Sequence, residues 1–145
     1  MDIEEQVLTE EDYTRIKENL DQNVINLAKE YPDTTFYYFF PPYSAYYWDG
    51  VIRTKSFEYV LLEEEYAMEL LLEVPNIKLY SFNDQIDITG NPDNYMDSLH
   101  YSEEINSYML QAIHEDEGLI TKDNYKEEIE RERQIYSDFD YETLY

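Results

Sequence analysis

Two short apolar runs, Thr35–Phe40 and Ile77–Phe82, constrain the fold of this 145-residue chain more than any other feature. The first run is β-branched and aromatic without polar alternation, which predicts a strand covered on both faces. Prolines end the first run at Pro41 and precede the second at Pro75. Each run follows a segment with helical spacing, so the two strands should lie parallel in one sheet.

Four segments have the apolar spacing, at three- and four-residue steps, that predicts helices. Acidic residues fill the first turn of the first segment, where they suit the helix dipole, and Pro32 ends it. Ser102 is the expected N-cap of the third. The predicted helices cover residues 9–31, 56–73, 102–113 and 123–136. Residues 43–53 are predicted to form a Tyr-rich loop.

The order helix, strand, helix, strand, helix, helix predicts an α/β fold. The pattern is that of a partial doubly wound (flavodoxin-like), three-layer fold with a short parallel sheet and about four helices. Two strands make a poor sheet, because parallel sheets normally have more strands and helices on both faces. We therefore expect an exposed sheet edge that favours a partner or self-association into a homo-oligomer. Residues 1–145 are predicted to form a single domain, with 137–145 as an acidic and aromatic tail.

Charge limits the partners of this chain. Asp and Glu number 34 against 10 Lys and Arg, which gives a net charge of −24 spread along the whole sequence. Such a chain is not expected to bind nucleic acid directly or to bind an anionic membrane surface. The longest stretch without charge, Thr34–Trp48, contains two prolines and does not predict a membrane-spanning helix. Residues 1–5 lack the features of a signal peptide, so a soluble, cytoplasmic protein is expected.

The segment Asn94–Ser102 carries the candidate chemistry. It follows the second strand, at the edge of an open α/β sheet where ligands and catalytic groups collect. Asp97 and His100 are three residues apart, a spacing that can join a carboxylate to one imidazole nitrogen and leave the other as a base. A surface histidine beside an acid explains the same spacing, and from spacing alone it is the commoner case.

Other candidate sites have weaker patterns. One histidine among scattered carboxylates lacks metal-ligand spacing, and no cofactor is predicted. His114 fits the charged end of a helix. The aromatic cluster Tyr43, Tyr46, Tyr47 and Trp48 could stack on a sugar or a partner, or it could pack over the sheet edge.

Several longer strings resemble the C-terminal half of SGNH/GDSL-type hydrolases, in particular the bacterial group that modifies cell-surface polysaccharide and lipoteichoic acid. The matching strings are Tyr31–Phe40, Pro41–Ser44, Leu79–Phe82, Asn94–Ser102 and Ile120–Tyr125. The resemblance implies that Asp97 and His100 are members of a catalytic triad. It also implies a Gly-Asp-Ser nucleophile motif and oxyanion donors from Gly and Asn, and this sequence contains no Gly-Asp-Ser. Without them a His–Asp pair cannot carry out acyl transfer, so the prediction leans against an autonomous enzyme.

Two functions from different classes remain open. The first is a non-catalytic acidic protein that inhibits a basic nucleic-acid-binding protein by nucleic-acid mimicry, as anti-CRISPR and anti-restriction inhibitors do. Its predicted contact face consists of acids without a basic partner in their own helix: Glu58, Glu63, Glu64, Glu65, Glu69 and Glu73. Plain solubility explains the same acids equally well. The second is a fragment or split half of an SGNH-like esterase or acyltransferase, in which Asp97 and His100 await a serine supplied from elsewhere.

Overall fold

Strand β2 (Ile77–Ser81) forms the middle of a three-stranded sheet, between β1 (Phe36–Phe40) and β3 (Leu119–Ile120). A computed structural model describes residues 4–145, so the prediction made for residues 1–5 lies partly outside the described residues. Strands β1 and β2 are parallel, with Phe36 opposite Ile77, as predicted. Strand β3 is antiparallel to β2 and was not predicted, because two residues are too few to show a strand pattern.

All four predicted helices are present. The first is continuous through a π-helical turn, Asp21–Ile25, and begins with a capping box in which Thr9 and Asp12 exchange hydrogen bonds. The helices are α1 (Glu10–Leu20), α2 (Asn26–Glu30), α3 (Ala45–Arg53), α4 (Phe57–Leu72), α5 (Ile86–Thr89), α6 (Glu103–His114) and α7 (Tyr125–Asp138).

Helix α3 replaces the loop predicted over residues 43–53. Ser44 caps it by accepting a hydrogen bond from the Tyr47 N–H, and Arg53 pairs with Asp49 one turn earlier at 2.8 Å. The prediction was wrong because the tyrosines and Gly50 resemble loop composition, whereas Ala45, Trp48 and Val51 are the buried stripe of a helix.

Helices cover the two faces of the sheet unequally. On one face Leu79 and Ile120 pack with α4 and α7 in the main core. On the other face Tyr80 and Phe82 pack against Met109 and Ala112 of α6 in a smaller cluster. This is the partial three-layer α/β arrangement that the sequence predicts.

Strand β1 is covered on one face only, so the prediction that both faces are buried was wrong. Residues Tyr37 and Phe39 are 53% and 39% exposed. The cause is the position of α6, which packs on residues of β2 and β3. On the opposite face, Phe36 and Tyr38 pack against the main core.

The predicted tail, residues 137–145, packs against α3. Leu144 is buried, its carbonyl accepts from the Tyr46 hydroxyl at 2.7 Å, and the Tyr145 hydroxyl donates to Asp49 at 2.7 Å. Within residues 4–145, no helix has the length and apolarity needed to cross a membrane.

Candidate functional site

Asp97 and His100 form a hydrogen-bonded pair in the loop between α5 and α6. Asp97 Oδ2 lies 2.6 Å from His100 Nδ1, and Asp97 Oδ1 accepts the backbone N–H groups of Leu99 and His100, each at 2.8 Å. These bonds lower the pKa of Asp97 to about 2, the backbone N–H of His100 contributing most, then that of Leu99, then the imidazole. The carboxylate therefore stays ionised and fixes the orientation of the ring.

Hydrogen bonds hold this loop against the segment that follows β1. The Met96 N–H donates to the His100 carbonyl at 2.8 Å, closing the loop on itself. The Tyr95 hydroxyl donates to the Pro42 carbonyl at 2.6 Å, and Ser44 Oγ donates to the Ser98 carbonyl at 2.7 Å. The Asp97–His100 pair is thus fixed near the carboxyl ends of the two parallel strands, as the position of the motif in the sequence predicts.

A groove of about 510 Å³ adjoins the loop. Ser98 lies on its wall, together with Tyr46, Tyr47 and Val51 of α3 and Val60 of α4. Aromatic and aliphatic walls of this kind suit an acyl chain or the flat face of a sugar ring. The groove is large enough to hold a substrate next to the loop that carries His100.

Ser44 and Ser102, two serines beside this loop, have other roles than that of a nucleophile. Ser44 is fully buried, and its hydroxyl donates to the Ser98 carbonyl. Ser102 is the N-cap residue of α6, and its hydroxyl lowers the pKa of the nearby Glu104 carboxyl. His100 itself is 70% exposed in its side chain. The loop therefore presents an oriented imidazole to solvent, while the Ser44 hydroxyl is buried and bonded to the loop backbone.

A buried carboxyl cluster lies at the end of β2, and sequence reasoning missed it. It consists of Glu64 from α4 with Glu128 and Glu132 from α7, which are 9%, 7% and 0% exposed. Asn83 Nδ2 donates to Glu64 at 3.3 Å, and Ser81 Oγ donates to Glu132 at 3.2 Å. The four-residue spacing of Glu128 and Glu132 is a signal, but it does not distinguish buried acids from the many exposed ones.

Burial governs the ionisation of this cluster. Desolvation raises the pKa of Glu64 to about 7, against the hydrogen bonds that lower it, and raises the pKa of Glu128 to about 7. It raises the pKa of Glu132 well above the ordinary value, with the neighbouring Glu64 adding to the effect. Among residues 4–145, Oε2 of Glu132 has no hydrogen-bond donor. A proton held between Glu132 and the neighbouring Glu64 carboxyl would give Oε2 a partner and leave one buried charge instead of two.

The acids proposed as a contact face on α4 do not share one exposed face. Glu64 is buried and belongs to the carboxyl cluster, so its prediction as a contact residue was wrong. Glu58 pairs with Arg133 at 3.0 Å and Glu73 with Lys122 at 2.7 Å. The remaining members are partly exposed or exposed: Glu63, Glu65 and Glu69. Helical periodicity could not show this, since the basic partners come from other parts of the chain.

The aromatic cluster divides between the core and the groove. Trp48 is fully buried and stacks on Tyr136 with ring centroids 4.4 Å apart, so it is unavailable to a sugar. Tyr46 and Tyr47 line the groove beside Ser98. In the part of the chain that the structure describes, no group of three or more His, Asp or Glu side chains is arranged to hold a metal ion.

Comparison of the chain with protein-family models, with curated proteins and with solved structures found no match.

Proposed function

We propose that this chain carries the acid–base half of an acyl-transfer site of the SGNH type, with Asp97 and His100 as triad members. The single observation that carries the proposal is the bonding of Asp97, which holds His100 Nδ1 through one oxygen and two backbone N–H groups through the other. Nε2 of His100 is then the nitrogen left for the reaction.

The roles of the two residues follow from this geometry. The ionised Asp97 holds the ring in one tautomer and stabilises its protonated form. His100 Nε2 accepts the proton of a serine hydroxyl as that hydroxyl attacks an ester carbonyl, and later donates it to the leaving alcohol. The serine and its oxyanion donors come from polypeptide outside this sequence. The substrate class implied by the family resemblance is an O-acylated cell-surface polysaccharide, and the adjoining groove has the aromatic walls for it.

The test is reconstitution with a polypeptide that carries the Gly-Asp-Ser blocks of an SGNH hydrolase, with p-nitrophenyl acetate as substrate. Hydrolysis above that of either component is expected. His100→Ala should reduce it by about 10²-fold or more, the usual contribution of a general base, and Asp97→Asn should also reduce it. His114→Ala is the matched control, because it removes the other histidine, which lies at the end of α6. Hydrolysis that survives His100→Ala would contradict the proposal.

The net charge of −24 favours a second candidate, an acidic inhibitor of a basic nucleic-acid-binding protein in the cytoplasm. Its contact surface must extend beyond α4, where Glu64 is buried and two other acids are paired. Capture of such a protein from lysate should weaken at high salt and be competed by duplex nucleic acid. The double variant Asp97→Ala/His100→Ala should leave this capture unchanged. The acyl-transfer function proposed first requires both side chains.

A further inference from the structure

Strand β1 is a free edge of the sheet. β2 lies on one side of it, and within the described residues no strand pairs with its other side. The Phe36 N–H bonds to the Asn76 carbonyl, and the Phe40 carbonyl accepts from the Phe82 N–H. Since backbone polar groups alternate sides along a strand, those of Tyr37 and Phe39 point away from β2. The edge therefore offers unpaired donors and acceptors to another strand.

This edge lacks the features that keep edge strands apart in other proteins. Residues 34–40 contain no charged residue and no proline, although the whole chain carries a charge of −24. The side chains of Tyr37 and Phe39 are also partly exposed on the face that α6 leaves open. An uncharged aromatic strand is where two such acidic molecules can meet without placing like charges opposite each other.

A groove of about 430 Å³ between β1 and α6 continues this surface. Its apolar wall includes Leu110, 63% exposed, and Ile113. Its charged residues Lys78 and Asp116 pair with each other at 3.1 Å, so the groove adds almost no net charge. A strongly basic partner would find few free acids here, whereas a second uncharged aromatic strand fits.

We propose that β1 pairs with β1 of a second copy of this chain, antiparallel and about a two-fold axis at Tyr38. In that register Tyr37 of one copy and Phe39 of the other exchange backbone hydrogen bonds, because the polar groups of both point outward. The exposed rings of both copies then lie on one face of a continuous six-stranded sheet. A two-fold interface requires a self-complementary surface, and this strand meets that requirement. The proposal does not depend on the Asp97–His100 chemistry.

Sedimentation equilibrium of the full chain tests the proposal. We expect a dimer whose dissociation constant decreases when the NaCl concentration is raised from about 50 mM to about 500 mM. The reason is that salt screens the repulsion between two highly acidic copies. Binding of a basic partner has the opposite salt dependence. Phe39→Lys should raise the dissociation constant at least about tenfold, since it places a charge in the strand pair while reducing the net negative charge.

Two further variants make the result decisive. Phe39→Glu should disrupt the dimer as Phe39→Lys does. Tyr31→Lys adds the same positive charge as Phe39→Lys, but at an exposed tyrosine outside β1, and should leave the dimer intact. Circular dichroism confirms that each variant is folded. A wild-type monomer at all salt concentrations would overturn the proposal, and so would a dimer that tolerates both substitutions of Phe39.

Discussion

The carboxyl groups of Glu64 and Glu132 are neighbours in the core, between helices α4 and α7, which otherwise pack through apolar residues and the Glu58–Arg133 ion pair. Burial raises the pKa of both above the ordinary carboxyl value. Between about pH 4.5 and pH 7 the folded protein therefore holds more protons at this site than the unfolded chain does. Stability contributed by the site is present at low pH and is lost as the pH rises through that range.

We predict that the free energy of unfolding is higher near pH 5 than near pH 8. A buried carboxyl whose pKa rises to about 7 costs on the order of 3 kcal/mol of stability across this range. Repulsion among the other acids acts in the same direction. Denaturant unfolding at the two pH values measures the difference. Equal or greater stability at pH 8 would mean that the cluster ionises without penalty.

Glu132→Gln should stabilise the protein at pH 8 and flatten its pH dependence. The amide of the variant can donate to Glu64 without a shared proton, while the shape of the side chain is kept. We expect a gain on the order of 1–3 kcal/mol in unfolding free energy at pH 8 and less at pH 5. Glu69→Gln, at an exposed position of α4, is the control and should change stability little at either pH. A loss of stability at pH 8 specific to Glu132→Gln would contradict the shared proton.

Asp97 should keep a low pKa even when its imidazole partner is removed. The two backbone N–H bonds contribute more to the lowering than the His100 side chain does. Carbon-13 NMR of the Asp97 carboxyl in His100→Ala should therefore show a midpoint below the ordinary value of 3.8. A return to 3.8 would show that the ring, and not the loop backbone, controls this carboxylate.

How far the sequence predicts this fold depends on the length of each pattern. The 16-residue helix α4 and the parallel pairing of β1 with β2 followed from periodicity and element order. The two-residue strand β3 and the short helix α3 could not be predicted in this way. Apolar periodicity must repeat several times before it can be recognised in a segment whose composition is typical of turns. The exposure of one face of β1 depends on where α6 packs, which is a tertiary property.

The candidate site also contains one part that the sequence predicts and one part that it does not. A local motif, Asp97 with His100, was predictable because both groups lie in one short loop whose hydrogen bonds are also local. The cluster of Glu64 and Glu132 was not, because it joins two helices 68 positions apart in a sequence with 34 acids. Sequence patterns identify an acid, whereas burial decides whether it remains charged.

Tyr136→Phe tests the polar network behind β2. The Tyr136 hydroxyl donates to the Asn83 carbonyl at 2.6 Å and lies 2.8 Å from Thr89 Oγ1, all of them buried. Phenylalanine keeps the stacking on Trp48 but leaves both oxygens without this partner, at a cost of about 1–3 kcal/mol in unfolding free energy. Urea denaturation measures the loss. Tyr31→Phe, at an exposed position, should change stability by less than about 0.5 kcal/mol, and an equal effect of the two substitutions would contradict the assigned network.

Two glycine-to-alanine substitutions should shift stability in opposite directions. Gly118 has a φ of +73°, and a Cβ there would lie 2.7 Å from the Ser81 carbonyl oxygen, so Gly118→Ala should destabilise by about 1–2 kcal/mol or more. Gly50 lies inside α3, where a Cβ would meet no atom within 4 Å, so Gly50→Ala should stabilise by about 0.5–1 kcal/mol. Thermal melting of both variants measures the two shifts. A neutral Gly118→Ala would show that the turn into β3 relaxes away from Ser81, and a destabilising Gly50→Ala would contradict the assignment of residues 45–53 as a helix.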